Sequence, residues 1–429
     1  MRNFQLATET LKQNRAKFTQ QMKPNSLAVF LANDQMPKTG DMDFVFKQNT
    51  DFYYLSGVNQ EKSILILYPD APVPEWREVL FLLETNEYLA TWEGEKLTKE
   101  KGEEVSGIQN IHWLPAFEGM LNAMMMQAEN VYLGLNENDR FASEVPYKGL
   151  RFAKEMREKY PLHQYFRSAP IVKNLRMIKS EEEINWMQKA CNVTGEALER
   201  VLKFTKPGVF EYEVEAEIAH TFIKRGTQSF AYDPIIASGK NACVLHYVTN
   251  AEKCNDGDLL LMDFGCGVGN YASDLSRTIP VNGRFTERQK AVYNAVLDVF
   301  KEAKTMLKPG AFLPEYQKNV EQLIEGKLID LKVISKAEIA KQDPKRPLYK
   351  KYFPHGTSHH IGLDVHDSSD RYRPIEENMV FTCEPGIYIP EENIGVRIEN
   401  DMVITANGVN DLMSHIPIEV DEIEDIMNA

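Results

Sequence analysis

Residues 259–264 have the sequence Leu-Leu-Leu-Met-Asp-Phe, an almost wholly apolar strand that contains the carboxylate of Asp263. Burying a charge in such a strand is costly unless the charge is paired or bound to a cation. The chain then passes through three glycines to Asp274, and a hairpin centred on Val268–Gly269 would place Asp263 directly opposite Asp274. Two carboxylates this close repel each other unless a proton or a cation lies between them. The pattern predicts a metal site or an acid pair, with a pair of solvated turn aspartates as the alternative.

A second pair of carboxylates has a similar setting nearer the carboxyl end. Residues 380–384 end in Glu384, residues 395–399 end in Glu399, and a Pro-Glu-Glu-Asn turn lies between the two segments. A hairpin around this turn would bring Glu384 near Glu399. Two hairpins that both carry carboxylates suggest an old internal duplication of the carboxyl-terminal half.

Four of the nine histidines fall within twelve residues, at positions 355, 359, 360 and 366. A lone histidine is usually a satisfied structural residue, but packing does not explain four of them among glycines and an aspartate. At least one of these imidazoles is predicted to bind a metal ion.

Together these features give a predicted ligand set of Asp263, Asp274, His359, Glu384 and Glu399. Four carboxylates balance the charge of two divalent cations, and a set rich in oxygen with one imidazole suits Mn²⁺, with Co²⁺, Fe²⁺ or Zn²⁺ as further possibilities. Two such ions per subunit would activate water and polarise a carbonyl, so the reaction predicted is hydrolysis of an amide.

Charge and composition restrict the partners. The net charge of −14 and the pI near 5.3 disfavour nucleic acid and anionic lipid. No apolar run approaches the ~18 residues that would cross a bilayer, and the first residues lack the apolar core of a secretion signal. The five cysteines form no CxxC pair, as expected in a reducing compartment. These features predict a cytoplasmic protein that does not insert into membranes.

The chain divides into two predicted domains, residues 1–172 and 173–429. The first alternates strands with helical stretches, as a mixed α/β domain does, with strand candidates at 27–32, 64–68, 79–83 and 131–135. The second is α+β. Ser180 and Glu183 form a capping box that opens a helix, helices are predicted at 180–203, 210–225 and 286–306, and the segment 355–406 is predicted to be rich in strands.

At the residues singled out above, the sequence resembles the pitta-bread metallopeptidases, and in particular the Xaa-Pro aminopeptidases, over nearly its whole length. The family's D-x-G and D-x-[ST]-R-T motifs match the segments at Asp263 and Asp274. Its histidine motif matches residues 355–367, and its E-P-G-x-Y and G-[IV]-R-I-E-x-D motifs match residues 384–388 and 395–401. The departures are Ser273, where glycine is usual, and a short turn between Glu384 and Glu399. The resemblance implies a pitta-bread catalytic domain preceded by a smaller α/β domain that controls substrate access and subunit contacts.

The resemblance also implies roles for individual residues. Asp263 would bind one ion, Asp274 and Glu399 would bridge both, and His359 with Glu384 would complete the other. Besides Glu384, the catalytic residues implied are His246 and His366, which match histidines that move protons or stabilise the tetrahedral intermediate; a structural role beside Tyr247 is the alternative for His246. The substrate-binding residues implied are His355, Tyr388, Arg397 and, in the first domain, Trp92.

The activity expected from the resemblance is release of the N-terminal residue from peptides with proline in second position, by a homo-oligomer that is a dimer or a tetramer. The alternative within the fold is a prolidase, which cleaves Xaa-Pro dipeptides. A non-catalytic binding protein on the same scaffold is disfavoured because all five predicted ligands are present.

Overall fold

The computed structural model describes residues 5–138, 140–227 and 230–429. They form two compact units, Gln5–Arg176 and Met177–Ala429, called here the amino-terminal and the carboxyl-terminal unit. The boundary predicted between residues 172 and 173 lies within the helix Ala169–Met177. No helix in these described ranges is both long enough and apolar enough to cross a bilayer.

The amino-terminal unit contains a six-stranded mixed sheet in the order β4-β3-β2-β1-β5-β6. The pairs β1–β2 and β2–β3 are antiparallel, and the other three pairs are parallel. The four predicted strands are confirmed as β1, β2, β3 and β5, while β4 and β6 were not predicted. The strands are β1 Ser26–Leu31, β2 Ile64–Leu67, β3 Glu78–Leu82, β4 Asn110–Trp113, β5 Asn130–Leu133 and β6 Gln164–Arg167.

Helices cover this sheet and supply part of its core. Met124 and Met125 are buried against the strands, whereas Met126 is exposed, so most of the methionine run packs in the core. The helices of this unit are α1 Thr8–Thr19, α2 Thr50–Ser56, α3 Glu87–Glu93, α4 Lys99–Ser106, α5 Phe117–Met125, α6 Lys148–Lys159 and α7 Ala169–Met177.

The carboxyl-terminal unit begins with the helices that the sequence predicts. The Ser180 side chain accepts from the Glu183 amide, and the Glu183 carboxylate accepts from the Ser180 amide, which confirms the predicted capping box. The helices of this unit are α8 Glu181–Phe204, α9 Glu211–Lys224, α10 Glu287–Met306, α11 Leu313–Asp330, α12 Lys336–Ile339 and α13 Val420–Met427.

The strands of this unit form small antiparallel sheets, in the orders β11-β8-β7, β12-β15-β16, β9-β10 and β13-β14. They are β7 Ile235–Ser238, β8 Leu259–Phe264, β9 Gly267–Val268, β10 Tyr271–Ala272, β11 Leu275–Pro280, β12 Val380–Cys383, β13 Gly386–Ile389, β14 Ile394–Arg397, β15 Asn400–Thr405 and β16 Gly408–Asp411. The predicted strand-rich finish therefore begins at residue 380, and not at 355, because residues 355–379 run as turns and loops that carry the histidines.

Candidate metal centre and active site

The first carboxylate hairpin has a register different from the predicted one. β8 pairs with β11 so that Asp263 lies opposite Ser276, and the hairpin turns at Gly269 and Asn270, one residue further along the chain than predicted. Both turn residues have positive φ, 60° and 65°, as a two-residue type I′ turn requires. Glycine and asparagine adopt this conformation most readily. The predicted direct pairing of Asp263 with Asp274 is therefore wrong, because the turn residues determine the register.

The side chains of Asp263 and Asp274 nevertheless meet at one hydroxyl. The Tyr232 oxygen lies 2.6 Å from Oδ1 of Asp263 and 2.5 Å from Oδ1 of Asp274. Burial raises the pKa of Asp274 well above its ordinary value, and the charge of Asp263 raises it further. One phenolic proton cannot satisfy two carboxylates at once. The pair therefore forms the crowded arrangement that a cation would relieve.

The second hairpin has the geometry that the sequence predicts. β12 pairs with β15 and β13 pairs with β14 in one continuous register, interrupted at Pro385. Extending that register across the interruption sets Glu384 opposite Glu399. Burial raises the pKa of Glu384 to about 7, and burial together with the nearby carboxylates raises the pKa of Glu399 well above its ordinary value.

His359 stands between the two hairpins. Its Nε2 lies 3.5 Å from Oδ2 of Asp274 and 3.6 Å from Oε1 of Glu384. Its Nδ1 lies 3.0 Å from the carbonyl oxygen of His360, and a carbonyl can only accept, so Nδ1 carries the proton. The lone pair of a neutral imidazole is then on Nε2, the nitrogen beside the carboxylates, as metal binding requires.

These residues converge on one place in the carboxyl-terminal unit. Asp274, His359 and Glu399 each offer a ligand atom, and the three atoms lie within 4.8 Å of one another. Glu384 is held against His359, and Asp263 reaches the group through Tyr232. All five predicted ligands are thus brought together. Four carboxylates at such distances repel each other strongly unless cations lie among them, so the residues present fit a divalent metal centre.

Arg397 organises one side of this cluster. Its Nη2 donates to Oδ2 of Asp263 at 2.5 Å, its Nε donates to the hydroxyl of Ser276 at 2.8 Å, and its Nη1 donates to the hydroxyl of Tyr388 at 2.9 Å. The Ser276 hydroxyl in turn donates to Oε2 of Glu399 at 2.7 Å. One buried guanidinium therefore fixes the orientation of a carboxylate from each hairpin.

The remaining histidines occupy three settings. His355 donates from Nδ1 to the carbonyl of Gly356, so its Nε2 accepts from Tyr388 at 2.8 Å, and burial lowers its pKa to about 3, which keeps the ring neutral. The ring of His366 lies beside the ring of His359, with centroids 4.0 Å apart and the ring planes tilted by 41°. His246 is exposed on the loop that follows β7.

Trp92 belongs to the other unit. It lies on α3, is 74% exposed and stands beside Tyr88, with ring centroids 6.2 Å apart. Its part in substrate binding stays a prediction.

Comparison with known proteins decides the family. The model of metallopeptidase family M24 matches residues 185–406, the range that contains every residue of the cluster, and the model of the aminopeptidase P N-terminal domain matches residues 11–132. The chain belongs to metallopeptidase family M24. Within that family it is similar to the Xaa-Pro aminopeptidase of Escherichia coli, with 32% identity over 99% of both chains.

Solved M24 structures agree over the whole chain. Pseudomonas aeruginosa aminopeptidase PepP superposes with a TM-score of 0.89 at 30% identity, covering 99% of both chains. Escherichia coli aminopeptidase P with the inhibitor Pro-Leu superposes with a TM-score of 0.88 at 29% identity over the same share. The predicted fold class, a pitta-bread domain preceded by a smaller α/β domain, is confirmed.

Two residues of this M24 site were missed from the sequence. Tyr232 lies between α9 and β7, where no pattern of alternation marks it. Ser276 could have been found, because it is two residues from Asp274 and faces Asp263 once the turn is placed at Gly269–Asn270. Both supply hydrogen bonds to carboxylates of the cluster.

Proposed function

We propose that this chain is a metal-dependent aminopeptidase that releases the N-terminal residue from peptides with proline in second position. The observation that carries the proposal is the convergence of Asp274, His359 and Glu399 within 4.8 Å, in an M24 chain whose full-length relatives are named Xaa-Pro aminopeptidases. Proline lacks the amide N–H and has a fixed φ, so a site shaped to its ring gains specificity from both properties.

The centre would hold two divalent cations, with Mn²⁺ as the ion of choice. Following the family resemblance, Asp263 would hold one ion, Asp274 and Glu399 would be shared by both, and His359 with Glu384 would hold the other. Four carboxylates balance four positive charges, and an oxygen-rich set suits a hard or borderline ion. When bound, such ions lower the pKa of water and polarise the scissile carbonyl.

The protein's own groups supply proton transfer and orientation. Glu384, which lies against His359, is placed to take a proton from the attacking water. His366, beside His359, and His246 steady the tetrahedral intermediate and deliver a proton to the leaving imino nitrogen. His355, Tyr388 and Arg397, which hydrogen bonds join into one group, bind the substrate.

The wider setting follows from the same assignment. Trp92 on the amino-terminal unit reaches toward substrate bound to a neighbouring copy in a dimer or tetramer. The protein acts in the cytoplasm, and its five free thiols are consistent with that reducing compartment. Its net charge of −14 disfavours nucleic acid and anionic membranes as partners.

The decisive experiment measures metal content and activity together. The purified protein is assayed for bound metal, then tested on Xaa-Pro-Yaa peptides before chelation, after chelation and after addition of Mn²⁺. Activity that disappears on chelation and returns with Mn²⁺ is the expected result. Hydrolysis of Xaa-Pro dipeptides with little activity on tripeptides would instead identify a prolidase, and no hydrolysis of either would indicate a binding protein.

A further inference from the structure

The loop that carries His246 connects β7 to β8, and residues 239–252 are called here the His246 loop. Val244, His246 and Val248 are exposed on it. Within the described part of the chain, the His246 imidazole makes no hydrogen bond of its own. The position of that ring therefore depends on how the backbone of the loop is held.

Glu211, the first residue of α9, is fully buried beneath this loop. Its Oε1 accepts from the amide of Ser238 at 2.7 Å and from the side chain of Asn241 at 3.1 Å. Its Oε2 accepts from the hydroxyl of Tyr247 at 2.8 Å and from the amide of Glu252 at 2.9 Å. One carboxylate thus connects the beginning, the middle and the end of the His246 loop.

The charge of Glu211 is satisfied by these donors and not by a cation. Among the described residues, no lysine, arginine or histidine forms an ion pair with it. A buried carboxylate is tolerated when several hydrogen bonds stabilise its charged form. Each of the four donors is consequently held with the strength of a charge-assisted bond, in a place from which water is excluded.

Two further contacts fix the same loop. Asn250, at the end of the loop, donates to Oε2 of Glu215 on the next turn of α9 at 2.8 Å and accepts from the amide of Ile236 at 3.0 Å. On the other side, a Cβ at Gly395 would lie 2.2 Å from the carbonyl oxygen of Ala242. The loop therefore packs directly on β14, the strand that ends in Arg397.

We propose that Glu211 is a positioning residue for the reaction: it anchors the His246 loop and so fixes the imidazole of His246 relative to the metal ligands. This inference rests on the proposed function through the role of His246. In the described ranges, the side-chain partners of Glu211 are Ser238, Asn241, Tyr247 and Glu252, and none of them is a proposed metal ligand. The effect of Glu211 is on the rate of turnover, because a displacement of about 1 Å in a catalytic group can cost ~100-fold.

The test compares Glu211→Gln with Glu213→Gln in the full-length protein. Glutamine in place of Glu211 turns an NH₂ group toward two of the four donors, so two of the four hydrogen bonds that hold the loop are lost. We expect kcat on an Xaa-Pro-Yaa peptide to fall about 10- to 100-fold with metal content unchanged. Among the residues that the structure describes, the Glu213 side chain accepts one hydrogen bond, from the amide of Phe210. Its glutamine variant shares the helix and the charge change and should keep wild-type turnover.

A structural readout makes the test independent of activity. The amides of Ser238 and Glu252 donate to different oxygens of Glu211. The protection of at least one of these amides from hydrogen exchange should therefore be lost in Glu211→Gln, and the protection of both should be kept in Glu213→Gln. Tyr247→Phe removes one donor and retains the carboxylate. It should lower kcat by less than Glu211→Gln, and it serves as the test if Glu211→Gln does not fold.

The double variant Glu211→Gln/His246→Ala separates the possible failures. If Glu211 acts through His246, the double variant is no slower than His246→Ala alone. Additive losses, or wild-type kcat in Glu211→Gln beside a slow His246→Ala, would overturn the inference and leave the proposed function intact. Wild-type kcat in His246→Ala would instead remove the role of His246 and the inference with it.

Discussion

Tyr232 contacts two carboxylates of the cluster without being a proposed ligand. Its hydroxyl touches the carboxylates of both Asp263 and Asp274. Burial and these neighbouring charges raise its pKa well above the ordinary value, so the phenol stays protonated and continues to orient both groups.

Tyr232→Phe should therefore weaken Mn²⁺ binding about 10-fold while leaving the fold intact, because groups that orient metal ligands typically contribute 10- to 100-fold to affinity. Calorimetric titration with Mn²⁺ measures this. Tyr271→Phe is the matched control, since its hydroxyl is buried and donates to Glu183, outside the cluster. Equal affinity in the two variants would count against the orienting role.

The bridging residues should behave differently from Tyr232. Asp274→Ala or Glu399→Ala removes a ligand shared by both ions, so binding of the ion pair and turnover should both be lost. Metal analysis of each purified variant, alongside its activity with added Mn²⁺, tests this. Full activity in either variant would refute the bridging assignment.

At the scale of elements, a buried ion pair holds the segment 355–367, which carries the four clustered histidines. Lys179 and Asp367 are each 1% exposed and lie 3.2 Å apart, and Asp367 immediately follows His366. The Asp367 amide also donates to the carbonyl of His360 at 2.9 Å. This pair connects the start of the carboxyl-terminal unit to the end of the segment that carries His359 and His366.

Lys179→Met should destabilise the protein by about 3–5 kcal/mol, because it removes the ammonium group that faces the buried Asp367 carboxylate. Denaturant unfolding gives the free energy. The double variant Lys179→Met/Asp367→Leu should recover much of the loss, since the buried carboxylate is removed as well. A double variant less stable than Lys179→Met would contradict this account.

The turn of the first hairpin offers a second test at this scale. Asn270 has φ of 65°, so Asn270→Ala should cost about 1–2 kcal/mol and Asn270→Gly should be close to neutral. Thermal unfolding of the two variants provides the comparison. Equal losses in both would show that the asparagine side chain, and not the backbone conformation, stabilises the turn.

How far the sequence predicts an element depends on how much of it is buried. β1, β2, β3 and β5 lie inside the six-stranded sheet and have apolar runs, so periodicity finds them. β4 and β6 lie at its two edges, where Asn110–Trp113 and Gln164–Arg167 are mostly half-buried or exposed and give no such pattern. The same limit explains Tyr232, which functions through one hydroxyl and has no periodic context.

The hairpin registers show the second limit. Glu384 and Glu399 were predicted to be neighbours from the Pro-Glu-Glu-Asn turn between them, although Pro385 and Gly386 left the register of the first strand open. The register is the same on both sides of Pro385. The first hairpin has three glycines at alternate positions, 265, 267 and 269, and any of several turns was compatible with them. Only the backbone angles of Gly269 and Asn270 resolve the choice.

At the scale of the whole molecule, metal binding should be visible as stability. Ligand that binds only the folded state stabilises it by about 2.7 kcal/mol when free ligand is ~100 times its dissociation constant. Mn²⁺ should therefore raise the unfolding temperature of the wild-type chain, and a chelator should reverse the change. Asp274→Ala should not respond, and an equal response there would place the ions elsewhere.

The five proposed metal ligands are spread along the chain from Asp263 to Glu399, and Glu399 lies just beyond the end of β14. A polypeptide still being synthesised holds Asp263 and Asp274 long before Glu384 and Glu399 have left the ribosome. If the proposed ligand set is right, such a chain would lack two of the five ligands and would be inert toward peptides around it. Hydrolytic activity would then appear only after the second hairpin has folded beside the first.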